Sequence, residues 1–154
     1  PGDAAVRLGL LQPDEVDIVL RDCKMWKGIP RFKRLLPALD GRSESPAESV
    51  SRWKIIEHGL PRPELQFEIV AEGKLYRADA AWPQLRVIGE FDGRVKYAVG
   101  DDLFAEKVRE DALRRAGWRV VRWTWADLWG QPEPAFITRL RHALGETAQG
   151  SRAA

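Results

Sequence analysis

This sequence predicts a mixed α/β domain, a sheet of antiparallel and parallel strand pairs flanked by helices. Three observations carry the prediction. Three short runs follow one another between Leu65 and Asp92, with the two-residue alternation or β-branched content of strands. A helical stretch comes next, and then a fourth run, Trp118-Arg-Val-Val-Arg-Trp-Thr-Trp125, that is β-branched and aromatic. Three successive strands imply an antiparallel meander, whereas the strand–helix–strand step permits a parallel crossover.

Residues 1–43 look helical and connective. Pro13-Asp-Glu-Val-Asp-Ile-Val-Leu20 opens with Pro and early acids, as helix starts do. Ile29 to Leu39 is a second short helix, basic on one side. Asp40 to Pro46 has turn composition and marks a boundary. Ser45-Pro-Ala-Glu48 reads as a capping box with Pro at the first helical position. Val50, Trp53 and Ile56 supply that helix's apolar stripe, and Gly59 ends it. Strands follow over Leu65–Ala71, Leu75–Ala81 and Arg86–Asp92. Asp102–Ala116 is a helix stopped at Gly117, and Pro134–Leu144 forms the last one. The domain spans 44–146, and 147–154 is a small, polar tail.

Composition narrows the class. The 154 residues are 44% hydrophobic and 31% charged, the profile of a globular domain with a real core. No apolar run approaches the ~20 residues that span a bilayer. No signal peptide is visible, and no membrane partner is expected. The chain begins at Pro1, so it reads as a piece of a longer protein. Cys23 is alone, which leaves no disulfide framework or thiolate metal site and fits a cytoplasmic setting. Net charge is only +2, but it is unevenly spread. Arg21 to Arg42 holds seven Lys or Arg and two Asp; Glu106 to Arg122 holds six basic and three acidic residues. Such patches are either solvated helix faces or phosphate-binding surfaces.

The chemistry concentrates in Arg77-Ala-Asp-Ala-Ala-Trp82 and Gly89-Glu-Phe-Asp-Gly93. Carboxylates are costly within a sheet unless something compensates them. On a strand, residues two apart share a face, so Ile88, Glu90 and Asp92 point one way and Val87 and Phe91 the other. A hairpin around Trp82 to Leu85 brings Asp79 near Glu90. Two carboxylates that close repel unless one is protonated or a cation lies between them. Magnesium suits hard oxygen ligands, with manganese as the alternative. Other assignments stand beside this one. Asp79 can pair with Arg77 or another Arg, Glu90 can be a structural pair, Asp92-Gly93 is a common turn dipeptide, and Glu48 is explained by its capping position, so a structural or partner-binding domain with its acids satisfied by Arg is a further reading. Trp53, Trp118 and Trp123 read as core; Trp82 and Trp125 are candidates for stacking on bases. Neither His58 nor His142 makes a zinc site, and no phosphate-binding glycine loop is present.

Residues 44–145 resemble the Vsr-like domain of unknown function, in the PD-(D/E)XK endonuclease superfamily and similar to very-short-patch repair endonucleases. The carrying segments are ESPAES, LPRPELQFEI, YRADAAWPQLRVIGEFDG and EKVREDALRRAGWRVVRWTWADL, with D–x10–E–x–D–G spacing. The resemblance implies a restriction-endonuclease-like core of about four strands and magnesium-dependent hydrolysis of DNA phosphodiesters. By position, Asp79 matches the central metal ligand, Glu90 the second acid and Glu48 the helix acid that completes the metal shell. Asp92 stands where the superfamily has Lys, and Lys96 where this branch commonly has His. Lys96 is a poor base at an ordinary lysine pKa but remains a phosphate-contact candidate. Arg109, a turn after Glu106, matches a basic position that contacts phosphate or pairs with Glu106. Arg77 and Trp82 complete the expected DNA contacts. Such domains often follow a winged-helix segment like that of AbiEi-type antitoxins. The second expectation is therefore a catalytically weak DNA-binding or regulatory module of an antitoxin-like repressor.

Overall fold

A computed structural model describes residues 2–11, 13–93, 100–130 and 133–145. Four strands, β1 (Glu64–Ala71), β2 (Lys74–Trp82), β3 (Val87–Phe91) and β4 (Arg119–Trp123), form one sheet in the order β1-β2-β3-β4. The first three make the expected antiparallel meander; β4 joins β3 in parallel. Helix α4 (Pro46–Glu57) precedes the sheet, α5 (Gly100–Arg115) makes the β3–β4 crossover and α6 (Ala135–Ala143) closes the described chain. Upstream lie α1 (Gly2–Arg7), α2 (Pro13–Asp22) and α3 (Ile29–Leu35). The mixed sheet flanked by helices is the predicted architecture.

Local chemistry sets the element ends. Ser45 Oγ accepts the Glu48 N–H at 3.1 Å, and Pro46 occupies the first turn. The reciprocal half of the capping box is displaced by one residue, because Glu48 accepts from the Glu44 N–H at 2.8 Å. Gly59, at φ 71°, lets the chain reverse so that the Gly59 and Leu60 N–H groups cap the Ile56 and Ile55 carbonyls. Glu72 and Gly73 are both left-handed and close the tight β1–β2 hairpin. Strand β4 ends two residues earlier than predicted. Thr124 binds the Asp127 carboxylate through its N–H (2.9 Å) and hydroxyl (3.0 Å), starting a 3-10 turn over Trp125–Leu128.

The sheet buries both faces. On one, Trp82, Val87, Val121 and Trp123 pack against Ile55 of α4 and Phe136, Ile137 and Leu140 of α6. On the other, Ile69, Ala81 and Ile88 pack against Leu113 of α5 and Trp118. Each fully buried aliphatic or aromatic side chain contributes about 1.5–3 kcal/mol. Gly89 lies under the Trp123 ring, where a Cβ would stand 2.5 Å from Cη2. Trp123 Nε1 donates to Ser51 Oγ at 2.7 Å, which fixes α4 against the sheet.

The turn-rich interval before Pro46 contacts both α1 and α4. Asp3, 3% exposed, accepts from Arg52 of α4 at 2.5 Å and from the Asp40 N–H at 2.9 Å. Arg7 donates to the Ser43 carbonyl at 2.6 Å. Burial works to raise the Asp3 pKa, but these hydrogen bonds, with Ser49 and the Arg52 charge, hold it below the usual carboxylate range. The segment expected as a linker is thus bound to α4 by a buried ion pair. No helix among the described residues is long and apolar enough to cross a membrane.

Candidate functional site

The antiparallel register runs Trp82↔Val87, Ala81↔Ile88 and Ala80↔Gly89. One further step places Asp79 opposite Glu90, as the hairpin argument requires. The regular ladder stops there, and Asp79 Oδ2 accepts the Phe91 N–H at 2.9 Å. A side-chain carboxylate thus holds the two strands where they begin to part.

Gln66 lies across β2 from this point. Its neighbours pair regularly, Leu65↔Ala80 and Phe67↔Ala78, but Gln66 has φ 53° in mid-strand. Such a conformation costs about 1–2 kcal/mol for a side chain with a Cβ. Gln66 Nε2 donates to Glu48 Oε2 at 3.0 Å. Glu48 is therefore gripped from two sides, by its own helix start and by the strained strand. Glu48 and Asp79 line one cleft, floored by Ile55, Leu65 and Trp123. Burial is the main force pushing the Asp79 carboxyl up to about 6, and the charges of Glu48 and Glu90 add to it. The Phe91 N–H and the Arg109 charge oppose the rise.

Glu90 has different company. It is 8% exposed and clamped by two arginines. Arg109 of α5 takes both carboxylate oxygens, through Nη2 to Oε1 and through Nη1 to Oε2 at 3.0 Å. Arg122 of β4 donates Nε to Oε2 at 3.1 Å. Glu106 bonds both guanidiniums, and Glu110 accepts from Arg122 at 2.6 Å. Burial works to lower the Arg109 pKa, yet Glu90 and Glu106 hold it above the ordinary arginine range. Among the described residues, no group of three or more Asp, Glu, His or Cys is arranged to hold a metal ion. Glu48 and Asp79 converge; Glu90 stands beside them in the hands of arginine.

The remaining expected site residues are scattered. Asp92 is exposed just beyond β3, with its N–H on the Trp123 carbonyl at 2.8 Å. Lys96 lies outside the described residues. Arg77 bonds Glu44 at 2.8 Å, so Asp79 is not its partner. Arg77's carbonyl accepts from Arg109 at 3.2 Å. Trp82 is 4% exposed, packed between sheet and helices, with its indole N–H on the Pro61 carbonyl at 2.8 Å. That corrects its expected contact with DNA, because the inward face of β2 offers no ring to a base. Trp125, the other stacking candidate, is 46% exposed at the end of β4 and meets the Phe91 ring edge-on.

Two participants went unrecognised in the sequence. Arg122 pairs in register with Glu90 on the parallel strand. Alternation along Trp118–Trp125 could have found it once the crossover was assumed. Gln66 offered no signal, since a left-handed residue inside a strand is unmarked by residue type.

Two proteins from two strains of Mycobacterium tuberculosis, each named only as uncharacterized, are similar to this chain at 36% identity over 120 residues. The alignment covers 77% of this chain, which spans only 44% of the length of either relative. No family model matches the chain. No solved structure matches it.

Proposed function

We propose that this chain is a metal-dependent, endonuclease-like domain that hydrolyses DNA phosphodiester bonds in the cytoplasm. The observation that carries the proposal is the convergence of Glu48 and Asp79 on one cleft, with Asp79 held at a raised pKa beside Glu90. Such a pair is uncomfortable without a cation. The donor chemistry fits magnesium or manganese, which take one or two carboxylates and complete their shells with water and substrate phosphate oxygens. Glu48 and Asp79 would hold the ion, and Glu90 would join only by exchanging an arginine. A bound divalent ion supplies an activated water and neutralises charge building on the phosphate. The chain's own part is orientation. Gln66 and the Glu44 N–H fix the Glu48 carboxylate, and the Phe91 N–H fixes that of Asp79. The Vsr-like resemblance of residues 44–145 agrees with this assignment, and an upstream winged-helix segment in the intact protein belongs to the same proposal.

The test is cleavage of supercoiled plasmid and of mismatched or nicked duplexes with magnesium, manganese or EDTA. Metal-dependent cleavage that disappears in Asp79→Asn and Glu48→Gln is expected. Absence of cleavage by the unaltered chain, or equal cleavage by the variants, refutes it. One observation favours a second reading, a DNA-binding or regulatory module with weak catalysis. Glu90 is already neutralised by two guanidiniums, so a metal must compete for it. DNA binding without any magnesium-dependent rise in thermal midpoint would select that reading.

A further inference from the structure

The arginines around the candidate site are spoken for. Arg77 pairs with Glu44, Arg109 with Glu90, Arg122 with Glu106 and Glu110, and Arg52 with Asp3. A polyanion gains little by meeting a guanidinium whose charge is already cancelled. The counterion release that drives phosphate-backbone binding needs cations without carboxylate partners.

A run of such cations stands in the α2–α3 segment. Between Cys23 and Leu39 there are five Lys or Arg and no Asp or Glu, whereas the rest of the chain is net −3. Lys24, Lys27, Arg31, Lys33 and Arg34 are all exposed, and none is ion-paired among the described residues. Apolar side chains stand among them. Trp26 is 69% exposed and Met25 88%, in the turn between α2 and α3, and Phe32 reaches the surface of α3. Exposed aromatics interleaved with unpaired cations are the composition of a surface that follows a phosphate backbone and stacks on unpaired bases. The segment leads into the site. Its two flanks, α1 and Ser43, are tied to α4 and to each other through Asp3–Arg52 and Arg7–Ser43, and the next residue, Glu44, gives its N–H to Glu48.

We propose that the α2–α3 segment is a platform for single-stranded DNA, with Lys24, Lys27, Arg31, Lys33 and Arg34 on the phosphates and Trp26 stacked on a base. The partner class rests on the DNA-hydrolysis proposal; the surface itself does not. Substrate is held upstream of the cleft, and the unpaired strand passes toward α4.

The experiment measures binding of the full chain to a labelled single strand of about 20 nucleotides and to the matching duplex. It is done in EDTA, by fluorescence anisotropy across a salt series. A Lys24→Glu, Lys27→Glu double variant should bind at least ~10-fold more weakly, with the slope of log K against log salt flatter by about 1. Trp26→Ala should lose ~5-fold or more on the single strand and much less on the duplex. All three side chains are exposed, so unchanged thermal midpoints verify the fold. Unaltered binding in these variants, no binding by the unaltered chain near about 50 mM salt, or uptake by phosphatidylserine vesicles in place of DNA overturns the proposal. The two proposals fail separately. Binding that the Lys24, Lys27 and Trp26 variants weaken, with no cleavage by the unaltered chain, would refute only the hydrolytic one.

Discussion

Replacing Asp79 with Asn should make the protein more stable while removing metal-dependent activity. The amide keeps an oxygen for the Phe91 N–H and removes a charge that the site resists. Raising a carboxyl from 3.8 to about 6 corresponds to about 3 kcal/mol against its ionised form. Asp79 is only half-buried, so solvent screening reduces the expected gain to about 1.5–3 kcal/mol. For a chain of this size that is roughly 3–12 °C in midpoint. The sign follows from linkage. Below the unfolded value of 3.8 the carboxyl is protonated in both states, and variant and parent should differ little. As pH rises the unfolded chain ionises first, so the parent loses stability through a folded value of about 6. The full gap should therefore appear above neutrality. Urea titrations between about pH 4 and 8 give the comparison, repeated with magnesium. The parent should gain midpoint with the ion, and the variant should not. A variant less stable than its parent at pH 8, or a gap that ignores pH, refutes the burial of the Asp79 carboxyl beside two like charges.

Three further outcomes are expected. Gly89→Ala forces a methyl against the Trp123 ring and should cost about 1–3 kcal/mol in urea unfolding; a neutral result would mean the ring lies elsewhere. Asp3→Ala leaves Arg52 buried without its carboxylate and should cost about 3–5 kcal/mol near neutral pH. Since the folded Asp3 pKa is depressed, the parent's advantage should be present above the ordinary aspartate value of 3.8 and fade as acid protonates the pair. Gln66→Gly relieves the left-handed strain while deleting the hydrogen bond to Glu48. The two effects are each about 1 kcal/mol, so stability should barely change while the magnesium-dependent gain in midpoint shrinks.

The fold was legible where local chemistry and packing agree. Ser45, Pro46 and Gly59 delimit α4 in the sequence as they do in space. The alternation of Val87, Ile88, Glu90 and Phe91 survives because both faces of β3 are covered. The β4 end was missed because Thr124 and Asp127 compete for the backbone, and propensity alone continues the Trp-Thr-Trp run as strand. For the site, the approach of Asp79 to Glu90 follows from a hairpin register and could be read directly. What neutralises Glu90 could not, because Arg109 and Arg122 arrive from a helix and a strand far along the chain. Trp82 illustrates the opposite error: sequence proximity to an acid says nothing about which face of the sheet a ring occupies. The basic run of residues 24–34 lay open in composition, but nothing in the sequence signalled the buried Asp3–Arg52 pair that ties the upstream segment to α4.

The parallel pairing of β3 with β4 also imposes an order of events during synthesis. Glu48, Asp79 and Glu90 have all been made when Phe91 leaves the ribosome, yet the guanidinium at position 122 does not exist for another 31 residues. Until Arg109 and then Arg122 have been made, Glu90 lacks its guanidinium partners, and the sheet lacks its fourth strand. Closing so distant a contact is entropically slow compared with the local hairpins. The growing chain thus passes through a stage with its acidic half exposed and incomplete. Assembly of the site is tied to the arrival of β4, so a chain cut short before Arg119 would carry the acidic signature without the framework that disciplines it.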